Sequence, residues 1–393
     1  MKAALCISHI ESSLEHLYEF INGKYLPYLN EHCKGMNIEI GTIEEAAKEP
    51  YTLVLVASGG PIQDFYDICS RTDGPYILLT NQYDNSIAAA LEMKAYLDSI
   101  GEKGEIVYGE MDEVAERLVE INRVLTARKR LEEMKFGLIG AERDEQGFSP
   151  DAFTSSFGSE ITSIPFDELL SEIRKNTYEP NALTERLLSH APNRNEMLNA
   201  LYVYGAVKRI ADSHSIRAFA LKCFDLLPYK VTGCTALALL NTEGYYGACE
   251  GDMRSLVSMA VLGEISGEHV FMANPCQVNR KKNNMVFAHC TLPLDMVPSY
   301  DYSTHYESGL SVAYAGHFDK GEYTVFKCNE NLESYSVHKG DWVSSPSDPL
   351  LCRTQIELHF DDVSSFFVHP INNHQMICHG NHVRALEDFF SLR

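Results

Sequence analysis

The segment Asn241 to Asp252 (NTEGYYGACEGD) ends in two carboxylates, Glu250 and Asp252, separated by one glycine. It follows the apolar run ALALLN and leads into the helical pattern MRSLVSMAVLGEI, so the pair lies at a loop-to-helix junction. An acid at a helix N-terminus satisfies orphan amides and the helix dipole, and Asp252 is read first as that cap. Glu250 lies just outside, at the end of an apolar stretch, where solvation explains a carboxylate poorly. A partly buried Glu there suits a metal ligand or a general base. A second element is Val286-Phe287-Ala288-His289-Cys290, an apolar strand ending in a histidine. Such a histidine is more often a hydrogen-bonded core residue than a ligand, and Cys290 faces the other way along the strand. The third is the group His369, His374, His379 and His382, whose spacings of five, five and three define no metal motif. A Glu, a strand-end His and a C-terminal His would together make an oxygen and nitrogen shell for a divalent ion such as Mn²⁺. The residues are too far apart in sequence for any spacing rule to test that.

The elements that must hold these groups read as follows. Ala3 to Ser8, Asn37 to Ile43, Tyr51 to Ala57, Tyr76 to Thr80 and Gly104 to Tyr108 read as strands. Helices are expected over Leu14 to Leu26, ending before Pro27, from an Asn85 cap to Gly101, and from Asp112 to about Met134. Strands alternating with helices imply a doubly wound, Rossmann-like sheet. Ser58-Gly59-Gly60 follows a strand but lacks both GxGxxG and a GK[ST] ending, so it reads as a tight turn and not as a nucleotide site. After the charged stretch Arg128 to Glu133 the pattern restarts at Phe136, with helices near 166–175, 180–189 and 193–213 and apolar runs beyond. Past Pro293 the texture becomes short alternating segments (SGLSVAYAGHF, GEYTVFKCN, CRTQIELHF), which is antiparallel β structure of a small barrel or sandwich. The expectation is two α/β domains, 1–135 and 136–293, then a small β-barrel-like domain over 294–393, closed by a helix from Val383 to Leu392.

The formal net charge of −22 opposes binding to nucleic acid or anionic membranes. The chain has no apolar run of bilayer length and no signal-like N-terminus, so a cytoplasmic location is expected. Eleven cysteines show no CxxC pair or regular framework, and reduced, buried thiols are expected.

The runs CTALALLNTEGYYGACEGDMRSLVSM and FMANPCQVNRKKNNMVFAHCTLP resemble the C-terminal half of the L-fucose/L-arabinose isomerase family. ASGGPIQDFY with NQYDNSIAAALEMKAYL resembles that family's first domain more loosely, and CRTQIELHF with NNHQMICHGNHVRAL resembles its final barrel. The chain looks like a compact, divergent member. The resemblance implies a sugar substrate, a divalent metal, usually Mn²⁺, and a homo-oligomer, trimer or hexamer, with the site completed between subunits. It implies an aldose–ketose interconversion in which a carboxylate moves a proton between C1 and C2 through an enediol. The family's GEGD-like acid falls on Glu250, which becomes ligand and base; the following strand's His falls on His289, and the C-terminal His on His374. Asp252 and Arg353 become substrate contacts, although an Arg on a barrel strand is as often structural. One departure stands out. Where the family carries a second acid in an FMED-like strand, this chain reads Phe271-Met272-Ala273-Asn274. Asn274 can coordinate only weakly, through its carbonyl oxygen, which leaves Glu250 alone or with Asp252, Cys249 or water. The alternative reading is therefore a sugar-binding protein of altered activity that has lost the second acid.

Overall fold

The computed structural model describes residues 1–141 and 147–392. The chain forms two compact units, one made of Met1–Lys129 and Ala385–Arg393, the other of Arg130–Arg384. The first is built on five parallel strands: β1 (Lys2–Cys6), β2 (Glu39–Ile40), β3 (Thr52–Val56), β4 (Tyr76–Leu79) and β5 (Gly104–Val107), in the order β2-β1-β3-β4-β5. The unbroken apolar run over β3 is explained by burial on both faces. Leu53 and Leu55 join the core on one face of the sheet, Val54 and Val56 the core on the other.

Two helix boundaries differ from expectation. Pro27 does not end a helix: the helical run of Glu11–Phe20 continues through the wider π turn Ile21–Tyr25 into Leu26–His32, which contains Pro27. Asn85 makes no capping hydrogen bond; its backbone is left-handed, at φ 59°, before the helix Ser86–Ile100. Gly101 ends that helix in the left-handed conformation that glycine adopts freely, as expected.

The second unit opens with another parallel sheet: β6 (Phe136–Ile139), β7 (Ile161–Ile164), β8 (Ala218–Leu221) and β9 (Tyr246–Ala248), ordered β7-β6-β8-β9. It continues with β10 (Phe271–Asn279), β11 (Asn284–His289), the hairpin β12 (Ser299–Ser303) and β13 (Ala313–His317), then β14 (Glu322–Cys328), β15 (Tyr335–Ser344), β16 (Thr354–His359) and β17 (Gln375–His379). Six of these close into an antiparallel barrel, β10-β11-β16-β15-β14-β17, around Phe271, Phe287, Tyr323, Val325, Ile356 and Ile377. The barrel starts at Phe271, ahead of the boundary placed at 293. The helix Met253–Ser266 is apolar almost all round, which a helix tolerates only when buried on every side. It touches β8 and β9 of the sheet and β14 and β17 of the barrel, so it is packed between the two. The final helix, Val383–Ser391, returns to the first unit, where Arg117 donates to Asp388 at 2.7 and 2.8 Å. Among the described residues, no helix is long and apolar enough to cross a membrane.

Candidate metal centre

Glu250 stands in the turn between β9 and the helix Met253–Ser266. Its backbone is left-handed, at φ 63°, and Gly251 follows at 67°. A non-glycine side chain held there costs about 1–2 kcal/mol, a conformation often found where a side chain must be aimed. The turn is pinned by Gly251 N donating to Leu221 O and Asp252 N donating to Cys249 O, at 3.0 and 3.1 Å.

His289 is the last residue of β11, and His374 immediately precedes β17. Their rings meet edge to face, with centroids 5.4 Å apart. Both present Nε2 to the same carboxylate oxygen, Glu250 Oε1, at 3.5 Å from His289 and 3.7 Å from His374. The three donor atoms lie within 4.8 Å of one another, so the cluster can hold a divalent ion. The histidines are sealed, at 5% and 1% side-chain exposure, while Glu250 is 26% exposed and gives the centre its opening.

Each imidazole is oriented by its other nitrogen. His374 Nδ1 lies 2.8 Å from Asp252 Oδ2, and His289 Nδ1 2.9 Å from Thr291 Oγ1. A carboxylate that accepts the Nδ1 proton leaves the Nε2 lone pair free, the arrangement of a metal-ligating histidine. His374 Nε2 is buried and has no hydrogen-bond partner. An orphan of that kind is rare in a packed interior, and an ion seated between it and Glu250 would satisfy it.

The electrostatics agree with a site built for positive charge. Burial opposes ionisation of Glu250, but the His289 and His374 imidazoles facing it outweigh that and hold the carboxyl well below the usual range. Burial likewise opposes the Asp252 anion, and His374, the Lys327 ammonium and Ser255 overcome it. Burial works against a protonated His374, yet Asp252 and Glu250 hold its pKa above the ordinary value.

Asp252 is the expected cap, accepting from Ser255 N at 2.9 Å, and is 1% exposed. Asn274 is half-buried at the rim of β10, where its Oδ1 accepts from Asn373 Nδ2 at 3.1 Å, next in sequence to His374. Ala273 is fully buried in the barrel core. The Arg353 guanidinium donates to Thr304 O at 2.9 Å and lies over the Tyr306 ring, so it anchors the 304–306 loop. All eleven cysteines are free, as expected; Cys223 and Cys249 place their sulfurs 3.0 Å apart beside Glu250. Sequence reasoning missed Thr291, Ser255 and Lys327. Thr291, two residues after His289, carried no signal. Lys327 did carry one, as a charge at an inward position of the alternating segment EYTVFKC.

The chain is similar to proteins named sulfoquinovose isomerase. That of Alkalicoccus urumqiensis is 22% identical over 282 residues, covering 67% of this chain and 63% of the relative. That of Priestia aryabhattai is 23% identical over 257 residues, 59% and 56% of the two chains. That of Clostridium sp. (strain MSTE9) is 23% identical over 229 residues, 54% and 50%. The chain thus spans less than two thirds of the length of these relatives. No protein-family model matches it.

Proposed function

We propose that this chain is a metal-dependent aldose–ketose sugar isomerase, with Glu250, His289 and His374 holding a divalent ion. The observation that carries the reading is His374 Nε2, buried without a partner and turned toward the Glu250 carboxylate. The similarity to proteins named sulfoquinovose isomerase supports it independently. One carboxylate and two imidazoles suit Mn²⁺ or a neighbouring first-row ion. When bound, such an ion supplies Lewis acidity that stabilises the negative oxygen of an enediol. Asp252 and Thr291 keep the two rings turned with Nε2 inward. Glu250, ionised and reached from solvent, takes a proton from one carbon of an open-chain sugar and returns it to the next. Asn274, tied to the His374 loop through Asn373, is proposed as a weak ligand or sugar contact. The assembly is proposed to be a homo-oligomer, trimer or hexamer, which analytical ultracentrifugation tests.

One observation favours a second reading, a sugar-binding protein of altered activity. Strand β10 offers Ala273 to the barrel core and Asn274 to its neighbour, and so supplies no second carboxylate. Mn²⁺ titration calorimetry on wild type and Glu250→Gln, followed by an NMR screen of aldoses that includes sulfoquinovose, separates the two. Wild type is expected to bind Mn²⁺, Glu250→Gln to bind about 100-fold more weakly, and at least one aldose to be converted. Binding of metal and sugar without conversion selects the second reading. A wild-type protein that retains no metal at saturation removes the isomerase reading.

A further inference from the structure

Strand β14 carries a lysine where its alternation calls for an apolar side chain. Tyr323 and Val325 belong to the barrel core, and period 2 puts Lys327 on their face. Lys327 is 1% exposed, and lysines are almost never so deeply buried without a partner. A methionine would fill similar space without desolvating a charge, and such exchanges are often neutral or stabilising. What the ammonium adds is a donor of fixed polarity.

That polarity runs through a chain of buried atoms to the metal centre. Lys327 Nζ donates to Ser255 Oγ at 2.8 Å. Burial lowers the Lys327 pKa while the Asp252 carboxylate behind Ser255 supports the charged form; an ammonium has no acceptor, so the serine oxygen accepts there and turns its own hydrogen elsewhere. It turns to Asp252 Oδ2, in a short hydrogen bond, while Asp252 Oδ1 accepts from Ser255 N at 2.9 Å. An ionised carboxylate only accepts, so the last link, from His374 at 2.8 Å, must be an Nδ1–H donor. With the hydrogen on Nδ1, the neutral ring can present only a bare Nε2 to Glu250. Lys327, Ser255, Asp252 and His374 are all buried, so no bulk water competes to reverse a link.

We propose that Lys327 is a positioning residue of this centre: through Ser255 and Asp252 it sets the direction of the hydrogen-bond chain that keeps His374 Nε2 free for an ion. The proposal rests on the metal-centre reading above. Its test uses the full chain as wild type, Lys327→Met and Ser255→Ala, the last removing the relay with little change in packing. Mn²⁺ affinity is measured by calorimetry. The His374 ring nitrogens are followed in metal-free protein by ¹⁵N NMR, at a pH where the ring is neutral, with assignment from His374→Gln. Both variants are expected to bind Mn²⁺ about 10–100-fold more weakly, the range found when outer partners of metal ligands are removed. Both are expected to show hydrogen on Nε2 in a fraction of molecules, where wild type shows it on Nδ1. A merely structural lysine would leave that tautomer unchanged. If Lys327→Met does not fold, Ser255→Ala carries the test. Folded variants with wild-type affinity and an unchanged tautomer overturn the proposal. Failure of wild type to bind Mn²⁺ overturns the metal-centre reading instead, and the tautomer comparison then decides on Lys327 alone.

Discussion

At the scale of single residues, an ion in the proposed centre would compete with protons. His374 has a raised pKa in the metal-free protein, so its stabilising contribution is fully present below the ordinary histidine value of about 6.5 and is lost as pH rises through the folded value. Glu250 and Asp252 have lowered values. Their contribution is present above the unfolded carboxylate range, near 4, and is lost as pH falls through the folded values. All three contributions therefore coincide between about pH 4 and 6.5, where the metal-free second unit is expected to be most stable in urea titrations. An ion needs a bare Nε2 and must expel the proton, so Mn²⁺ affinity is expected to fall about tenfold per pH unit below the His374 titration. Calorimetry near pH 6 in two buffers of different ionisation enthalpy should report about one proton released. Release of no proton would mean that His374 is not a ligand.

At the scale of elements, the centre depends on where strands stop. β11 ends on His289, still paired with Thr354 and of the same parity as Met285 and Phe287, and β17 begins just after His374, so both rings project from strand ends. Within β10, alternation still rules. Ala273 is fully buried in the barrel core, whereas Asn274 is half-buried and its acceptor oxygen is already in use. Restoring an acid on this strand should therefore have opposite outcomes one residue apart. Ala273→Asp would bury an unpaired carboxylate and is expected to destabilise by about 3 kcal/mol or more. Asn274→Asp keeps an acceptor for Asn373 and is expected to change stability by less than about 1 kcal/mol. Urea midpoints of the two variants decide this, and equal losses would show that burial does not separate the two positions.

At the scale of the molecule, the last helix leaves the barrel and packs into the first unit, where Asp388 shares Arg117 with Glu105 and Glu120. The two units can thus be followed separately. The single tryptophan, Trp342, lies on β15 against the barrel core, so its fluorescence reports on the second unit. An ion binding only the folded centre at 100 times its Kd stabilises that unit by about 2.7 kcal/mol. Saturating Mn²⁺ is expected to move the Trp342 transition to higher urea and to leave unchanged any transition seen only by circular dichroism. A tryptophan transition that ignores Mn²⁺ would place metal binding outside this centre.

Much of this was legible in the linear chain because it depends on local pattern. The β3 run TLVLV could only be a strand covered on both faces, and Gly101 had to end its helix because the turn requires positive φ. Glu250 stood out as a carboxylate closing an apolar stretch, and the Asp252 cap followed from its place before a helical pattern. The departure at Ala273-Asn274 was also visible, as residue types alone. Tertiary structure decided the rest. The helical run passes through Pro27 by way of the wider turn Ile21–Tyr25, which no local signal announces. Among His369, His374, His379 and His382, only the placement of β17 beside Glu250 singles out His374. That Arg353 reaches the 304–306 loop is legible only in the fold for the same kind of reason, a contact across 49 residues. The proposed metal ligation and proton direction depend on distances of a few ångströms between residues as many as 124 positions apart, Glu250 and His374 among them. Periodicity carries no information about such distances; packing alone sets them.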